Sequence, residues 1–157
     1  MGAGLIHYPE GKIYGYTHNY HFDYIFSDHF GTKFSVDLGS GQKNEEFYFD
    51  VSKSTIFGVG LVYFPLSKIS NFKINTSFTI HMNTKISGTK DEIVNSHFAL
   101  SDFTSFEQLT FYGLNVGLQY PIIQKKQFLY AIKFDAWASW LKIDAMSLKF
   151  LVGYNFN

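Results

Sequence analysis

The chain ends in a two-residue rhythm. From Ser147 onward, Leu148, Phe150, Val152, Tyr154 and Phe156 fall on one face, and Ser147, Lys149, Leu151, Gly153 and Asn155 on the other. A strand shows successive side chains to opposite sides, so this ending is oily on one face and small or polar on the other. A core strand buried on both faces would be apolar throughout. A strand written this way separates two unlike media.

The same rhythm recurs upstream and predicts eight segments. The first is short, about Gly2–Tyr8, followed by a turn at Pro9–Lys12. The second, Ile13–Phe26, sets Tyr14, Tyr16, His18, Tyr20, Phe22, Tyr24 and Phe26 against Gly15, Thr17, Asn19, His21, Asp23 and Ile25. The others are expected at Lys33–Gly39, Ser54–Phe64, Phe72–Thr84, Gln108–Tyr120, Phe128–Leu141 and Ser147 to the end. Between them the reading places connections at Ser27–Thr32, Ser40–Lys53, Pro65–Asn71, Lys85–Glu107, Pro121–Gln127 and Lys142–Met146.

The uniform face is apolar and the mixed face carries the charges, which selects the fold class. A soluble calyx barrel would put its apolar residues inside and its charges outside; here the oily face is too broad for water. The pattern predicts an all-β, antiparallel up-and-down transmembrane β-barrel of about eight strands, with residues 1–157 forming one domain. Aromatics are 20% of the chain, far above ordinary usage. No run approaches the roughly 18 apolar residues a spanning helix needs. The mean hydropathy of −0.05 fits a barrel in which half of each strand faces a polar lumen. Thirteen basic and thirteen acidic residues cancel, so nothing points to nucleic acid. There is no cysteine for disulfides or thiolate metal sites.

The links after the second, fourth and sixth segments read as short, while those after the third and fifth read as longer. Such barrels keep short turns on the periplasmic side and longer loops outside. The outward residue nearest the short side is then expected to be aromatic, at headgroup level. Phe26, Phe34, Tyr63, Phe72, Tyr120, Phe128 and Phe156 form this expected periplasmic girdle.

With about eight strands the lumen is just wide enough to be filled by side chains. The expected inward polar set is His21, Asp23, Lys33, Asp37, Lys73, His81, Lys133, Asp135 and Lys149. Buried charges of both signs must pair, which predicts a rigid plug of ion pairs. The inward glycines 58, 60, 113 and 117 either relieve crowding or leave a cavity. His21 and Asp23 share a strand face, yet no nucleophile lies at motif spacing. The histidines have no metal-ligand spacing. No catalytic residue, cofactor or metal is assigned.

The chain resembles the small eight-stranded outer-membrane barrels of the OmpA and OmpX type. The resemblance rests on the eight alternating segments, the three short turns and the ending Leu148–Phe156. Its Phe, Tyr, Lys, Ile and Asn richness resembles a Bacteroidota protein. The resemblance implies a bacterial outer-membrane location, reached after removal of a signal peptide absent from this sequence. It implies contact with outer-membrane lipid and lipopolysaccharide. It also implies insertion by the barrel assembly machinery, which would read Phe150, Val152, Tyr154 and Phe156; Asn157 after the last aromatic departs from the usual form. The fold does not choose a function. The first expectation is a non-enzymatic barrel with a filled lumen, working structurally or by binding through its outer loops, as a possible subunit of an envelope complex with other envelope proteins. The alternatives are a narrow channel for small solutes and a lipid A-modifying enzyme, to which Asn95-Ser96-His97 bears a loose likeness.

Overall fold

The computed structural model describes residues 1–45, 48–66, 70, 72–89, 103–125, 127–139 and 142–154. They form eight strands: β1 (Gly2–Tyr8), β2 (Ile13–Ile25), β3 (Phe30–Asn44), β4 (Tyr48–Tyr63), β5 (Lys73–Thr89), β6 (Phe103–Lys125), β7 (Phe128–Ser139) and β8 (Lys142–Tyr154). Each strand pairs antiparallel with its sequence neighbour, and β1 pairs with β8 to close the barrel. No helix among the described residues is long and apolar enough to cross a membrane.

The two faces separate as the alternation requires. On β7, Lys133 and Asp135 are 1% and 0% exposed, while Tyr130 and Phe134 between and beside them are 43% and 41% exposed. On β8, Lys149 is fully enclosed and Leu148 and Phe150 point out. The expected sidedness holds on every described strand.

The connections use local chemistry. Between β1 and β2, Lys12 adopts φ 51° and donates its backbone N–H to the Pro9 carbonyl at 3.2 Å. Between β2 and β3, the Ser27 hydroxyl accepts the Phe30 N–H at 2.9 Å, a serine turn.

Several expected loops are strand instead. Residues 40–44 and 48–53 extend β3 and β4, and residues 85–89 and 103–107 lengthen β5 and β6. Residues 142–146 open β8. These stretches lie beyond the apolar band, where outward positions are no longer uniformly apolar (Ser40, Gln42, Lys53), so the oily–polar alternation that marks a strand in lipid disappears. Pro121 also sits within β6 rather than starting a turn. It falls at a register shift between Pro121 and Ile123, a bulge where the missing N–H leaves no gap in the ladder. The β3–β4 link is therefore tighter than expected, and length alone does not separate the two barrel ends. The overhang of β3 to β6 does.

β1 is shorter than β2. Gly2 pairs with Asn19, and among the described residues no strand pairs with His21–Ile25 on the β1 side.

Candidate functional site

The lumen is layered. Its middle holds Lys33, Lys73, Lys133 and Lys149 with Asp23, Asp37 and Asp135, each brought in by the inward parity of its strand. Lys149, on β8, donates to Asp37 of β3 and to Asp135 of β7, the latter at 2.9 Å. Lys133 approaches Asp135 at 2.8 Å. The Lys149 ammonium also sits 4.6 Å from the Trp137 ring centroid, a cation–π contact. Asn19 Nδ2 donates to Asp37 at 2.9 Å, and His21 Nδ1 meets Asn19 Oδ1 at 2.7 Å. Lower down, Lys73 pairs with Asp23, and His21 Nε2 is 3.9 Å from the same carboxylate. Lys33 makes no ion pair among the described residues; it donates to Asn75 Oδ1 at 3.0 Å.

Seven of the nine expected lumen residues thus join one connected network, and Lys33 lies in the same layer bonded to Asn75. His81 stands apart, nearer the loop end, bonded to Thr79 Oγ1 at 3.1 Å with its ring against Phe111. The partner amides Asn19 and Asn75 share the parity of the charged residues. The apolar inward residues are less legible. Ile6, Tyr8, Ile13, Ile56, Trp137 and Ala145 form a buried cluster above the ionic layer. Leu129, Ala131 and Leu151 form another below it, with Val62 and Phe64 buried at the same end. A lumen read as polar is polar only in its middle. The four inward glycines relieve crowding. A methyl at Gly58 would lie 2.8 Å from Ser35 Oγ; at Gly60 it would enter the Thr76 carbonyl, and at Gly117 the Asp135 carboxylate.

Above the upper cluster, at the loop end, a cavity of about 390 Å³ opens between β1, β2, β4, β5, β6, β7 and β8. Its floor includes Tyr8, Ile13, Ile56 and Phe111, and its rim carries Glu10, Lys85, Glu107, Lys142 and Asp144. Tyr8 bonds Ser54 Oγ at 2.6 Å across the floor. Lys142 donates to Glu10 at 2.7 Å. That hydrogen bond, with the charge behind it, holds the Glu10 carboxyl below the usual carboxylate range and raises the Lys142 ammonium. Asp144 accepts from the Ser139 N–H at 2.6 Å and its hydroxyl at 3.1 Å. None of these rim residues stood out in the sequence, because they lie where alternation fails.

At the opposite end, aromatic side chains pair across neighbouring strands. Phe30 and Tyr63 rings are 5.2 Å apart, Phe72 and Tyr120 6.3 Å, and Phe128 and Tyr154 5.5 Å. Phe26 is exposed beside them. One expected member is misplaced. Phe34 is outward but pairs with Phe22, inside the strands, while Phe30 pairs with Tyr63 at the rim. Phe30 escaped notice because its strand begins earlier than the turn residues suggest. Phe150, Val152 and Tyr154 face out on β8. Phe156 lies outside the described residues, as do Trp140 and Asn95-Ser96-His97.

Two other histidines serve local structure. His29 Nδ1 meets the Phe64 carbonyl at 2.8 Å, and His7 stacks on Tyr14 with centroids 4.3 Å apart. Among the described residues no cluster of three His, Asp or Glu side chains could hold a metal ion.

No protein-family model matches the chain, and no curated protein is significantly similar to it. Solved structures are similar in fold. Ail, the attachment invasion locus protein of Yersinia pestis, aligns with TM-score 0.61 at 12% identity, over 99% of this chain and 95% of that one. Ail in complex with the heparin analogue sucrose octasulfate aligns with TM-score 0.55 at 13% identity, over the same shares of each chain. The N-terminal β-barrel domain of Pseudomonas aeruginosa OprF gives TM-score 0.44 at 15% identity, covering 99% and 95%. The expected eight-stranded up-and-down barrel is the observed fold.

Proposed function

We propose that the chain is a non-enzymatic integral protein of the bacterial outer membrane, a closed and non-conducting barrel that acts structurally or by binding at its loop end. One observation carries this reading. A continuous apolar exterior surrounds an ionic lumen capped above and below by buried apolar side chains. An exterior of exposed Leu, Val, Phe and Tyr on all sides is unstable in water and suited to acyl chains. The aromatic pairs at one end suit a headgroup layer. Buried apolar side chains above and below the ionic layer crowd the lumen at both levels, which argues against a solute channel.

In this reading the barrel sits among outer-membrane lipid and lipopolysaccharide and is inserted by the barrel assembly machinery through its outward β8 residues. The loop end, which overhangs the membrane, meets another envelope protein or an external ligand. The Ail complex with a heparin analogue shows that such a barrel has a bound sulfated ligand. Here the described loop end mixes Lys12, Lys43, Lys53, Lys85 and Lys142 with Glu10, Glu45, Asp50, Glu107 and Asp144, so a purely anionic ligand is not favoured.

The chain has no cysteine, so single-cysteine labelling reads its topology cleanly. Cysteine at Asn44 should react with a membrane-impermeant maleimide on intact cells, and cysteine at Gln127 only after lysis. Purified protein in planar bilayers should show no discrete conductance steps. Recovery in a detergent-free soluble fraction, reversed labelling, or stable unitary currents would each overturn the reading.

A further inference from the structure

We infer that the loop-end cavity is a binding site for a small zwitterion with an apolar body, an apolar α-amino acid or a short peptide of such residues. The inference goes beyond the proposed function, and the cavity's chemistry supports it whichever end of the barrel faces out.

Volume sets the scale. About 390 Å³ lies at the low end of small-molecule sites, roughly 300–1,000 Å³, so it suits one compact molecule rather than a polymer chain. The floor sets the body. Ile13 and Ile56 are buried there beside Phe111, and Leu109 lines the cavity above them. A ligand displacing water from these surfaces gains by covering them with an apolar group.

The rim sets the ends, and most of its charges are already committed. Glu10 and Lys142 neutralise one another at 2.7 Å. Asp144 is held by both the backbone N–H and the hydroxyl of Ser139. That leaves Lys85 and Glu107. They are direct partners across β5 and β6, both lining the cavity, and neither forms an ion pair among the described residues. Directly opposed residues place their Cβ atoms about 5 Å apart. The site therefore offers one cation and one anion side by side over an apolar floor. An anion alone would face Glu107, and a cation alone would face Lys85. A molecule bearing a carboxylate and an ammonium satisfies both, the carboxylate accepting from Lys85 and the ammonium donating to Glu107. Charge-assisted hydrogen bonds of this kind are the stronger ones.

The full chain, folded in detergent micelles, tests this with L-leucyl-L-leucine as the probe and its N-acetyl amide as the uncharged control. Isothermal titration calorimetry reports occupancy, since Trp137 is buried beneath the floor and does not line the cavity. Saturable binding is expected, with affinity falling about tenfold or more for the capped peptide and for each of Lys85→Gln and Glu107→Gln. Both substitutions lie on the water-exposed overhang, so the barrel should keep its heat-modifiable gel mobility. Ile56→Trp, which fills the floor, should abolish binding; if that variant does not fold, Asn83→Phe on the wall serves the same purpose. No saturable signal up to about 10 mM, equal binding of the capped peptide, or unchanged affinity in both charge variants would overturn the inference. The last outcome would mean that Lys85 and Glu107 neutralise each other.

Discussion

Removing Asp135 should damage this barrel far more than removing Lys33, although both are enclosed in the same ionic layer. Asp135 is fully buried and serves two lysines, at 2.8 Å to Lys133 and 2.9 Å to Lys149. Asp135→Asn keeps the shape and deletes the charge. Lys133 then has no carboxylate in contact, and Lys149 keeps only Asp37. Breaking a buried ion pair from one side costs about 3–5 kcal/mol, because the remaining charge is stranded. Lys33 is different: four lysines face three aspartates in this layer, and Lys33 is the one bonded only to an amide. Lys33→Met removes an ammonium that has no counter-charge in contact and keeps its apolar stem. Its stability should be unchanged or raised by on the order of 1 kcal/mol. In lipid vesicles, urea unfolding followed by tryptophan fluorescence separates the two. With a slope of about 2 kcal/mol per M, the Asp135→Asn midpoint should fall by roughly 2 M. The Asp135→Asn/Lys33→Met double variant should recover part of that loss. Equal midpoints for the parent and Asp135→Asn, or equal damage from the two single changes, would refute the assignment of Lys33 as the surplus cation.

Gly60→Ala would push a methyl into the Thr76 carbonyl and the Ser77 backbone; it should cost about 2 kcal/mol or more, or block assembly. Gly153→Ala, whose nearest neighbour would be 3.6 Å away, should leave gel mobility and urea midpoint unchanged. The exposed Glu10–Lys142 pair should contribute at most about 0.5 kcal/mol. Because the Glu10 carboxyl is lowered, that contribution is present above its unfolded range and is lost as pH falls through the folded value. Because the Lys142 ammonium is raised, it is lost again only as pH rises beyond the ordinary lysine range. Lys142→Gln should therefore shift the urea midpoint equally at pH 6 and pH 9, and a difference between those two values would contradict the pairing. Backbone amides of His21, Asp23 and Ile25, which point away from β3, should exchange with deuterium faster than those of Thr17 and Asn19, since only the latter have β1 beside them; equal protection of these five amides would contradict the seam as described.

How much of this was legible depends on which medium each residue touches. Where a strand lies between lipid and lumen, the two environments impose opposite demands on successive positions. Parity then reads out correctly from Tyr14 to Tyr24 and from Phe128 to Phe134. Where a strand runs beyond the apolar band, its outward positions are no longer held to apolar types and the constraint vanishes. Residues 40–44, 85–89 and 142–146 consequently look like loops, and the cavity they frame was invisible. The lumen fails to read out for a different reason. Parity tells that Ile6, Ile13, Ile56 and Val62 point inward, but an apolar residue on the inner face resembles a break in the pattern. It becomes a cap only once five strands bring such breaks to one level. Charge arithmetic survives folding where geometry does not. The excess of lysine over aspartate on the inner faces is countable in the chain, but which lysine is left over is not: Lys33 lies directly opposite Asp23 on β2, yet Asp23 pairs with Lys73 and Lys33 bonds to the Asn75 amide.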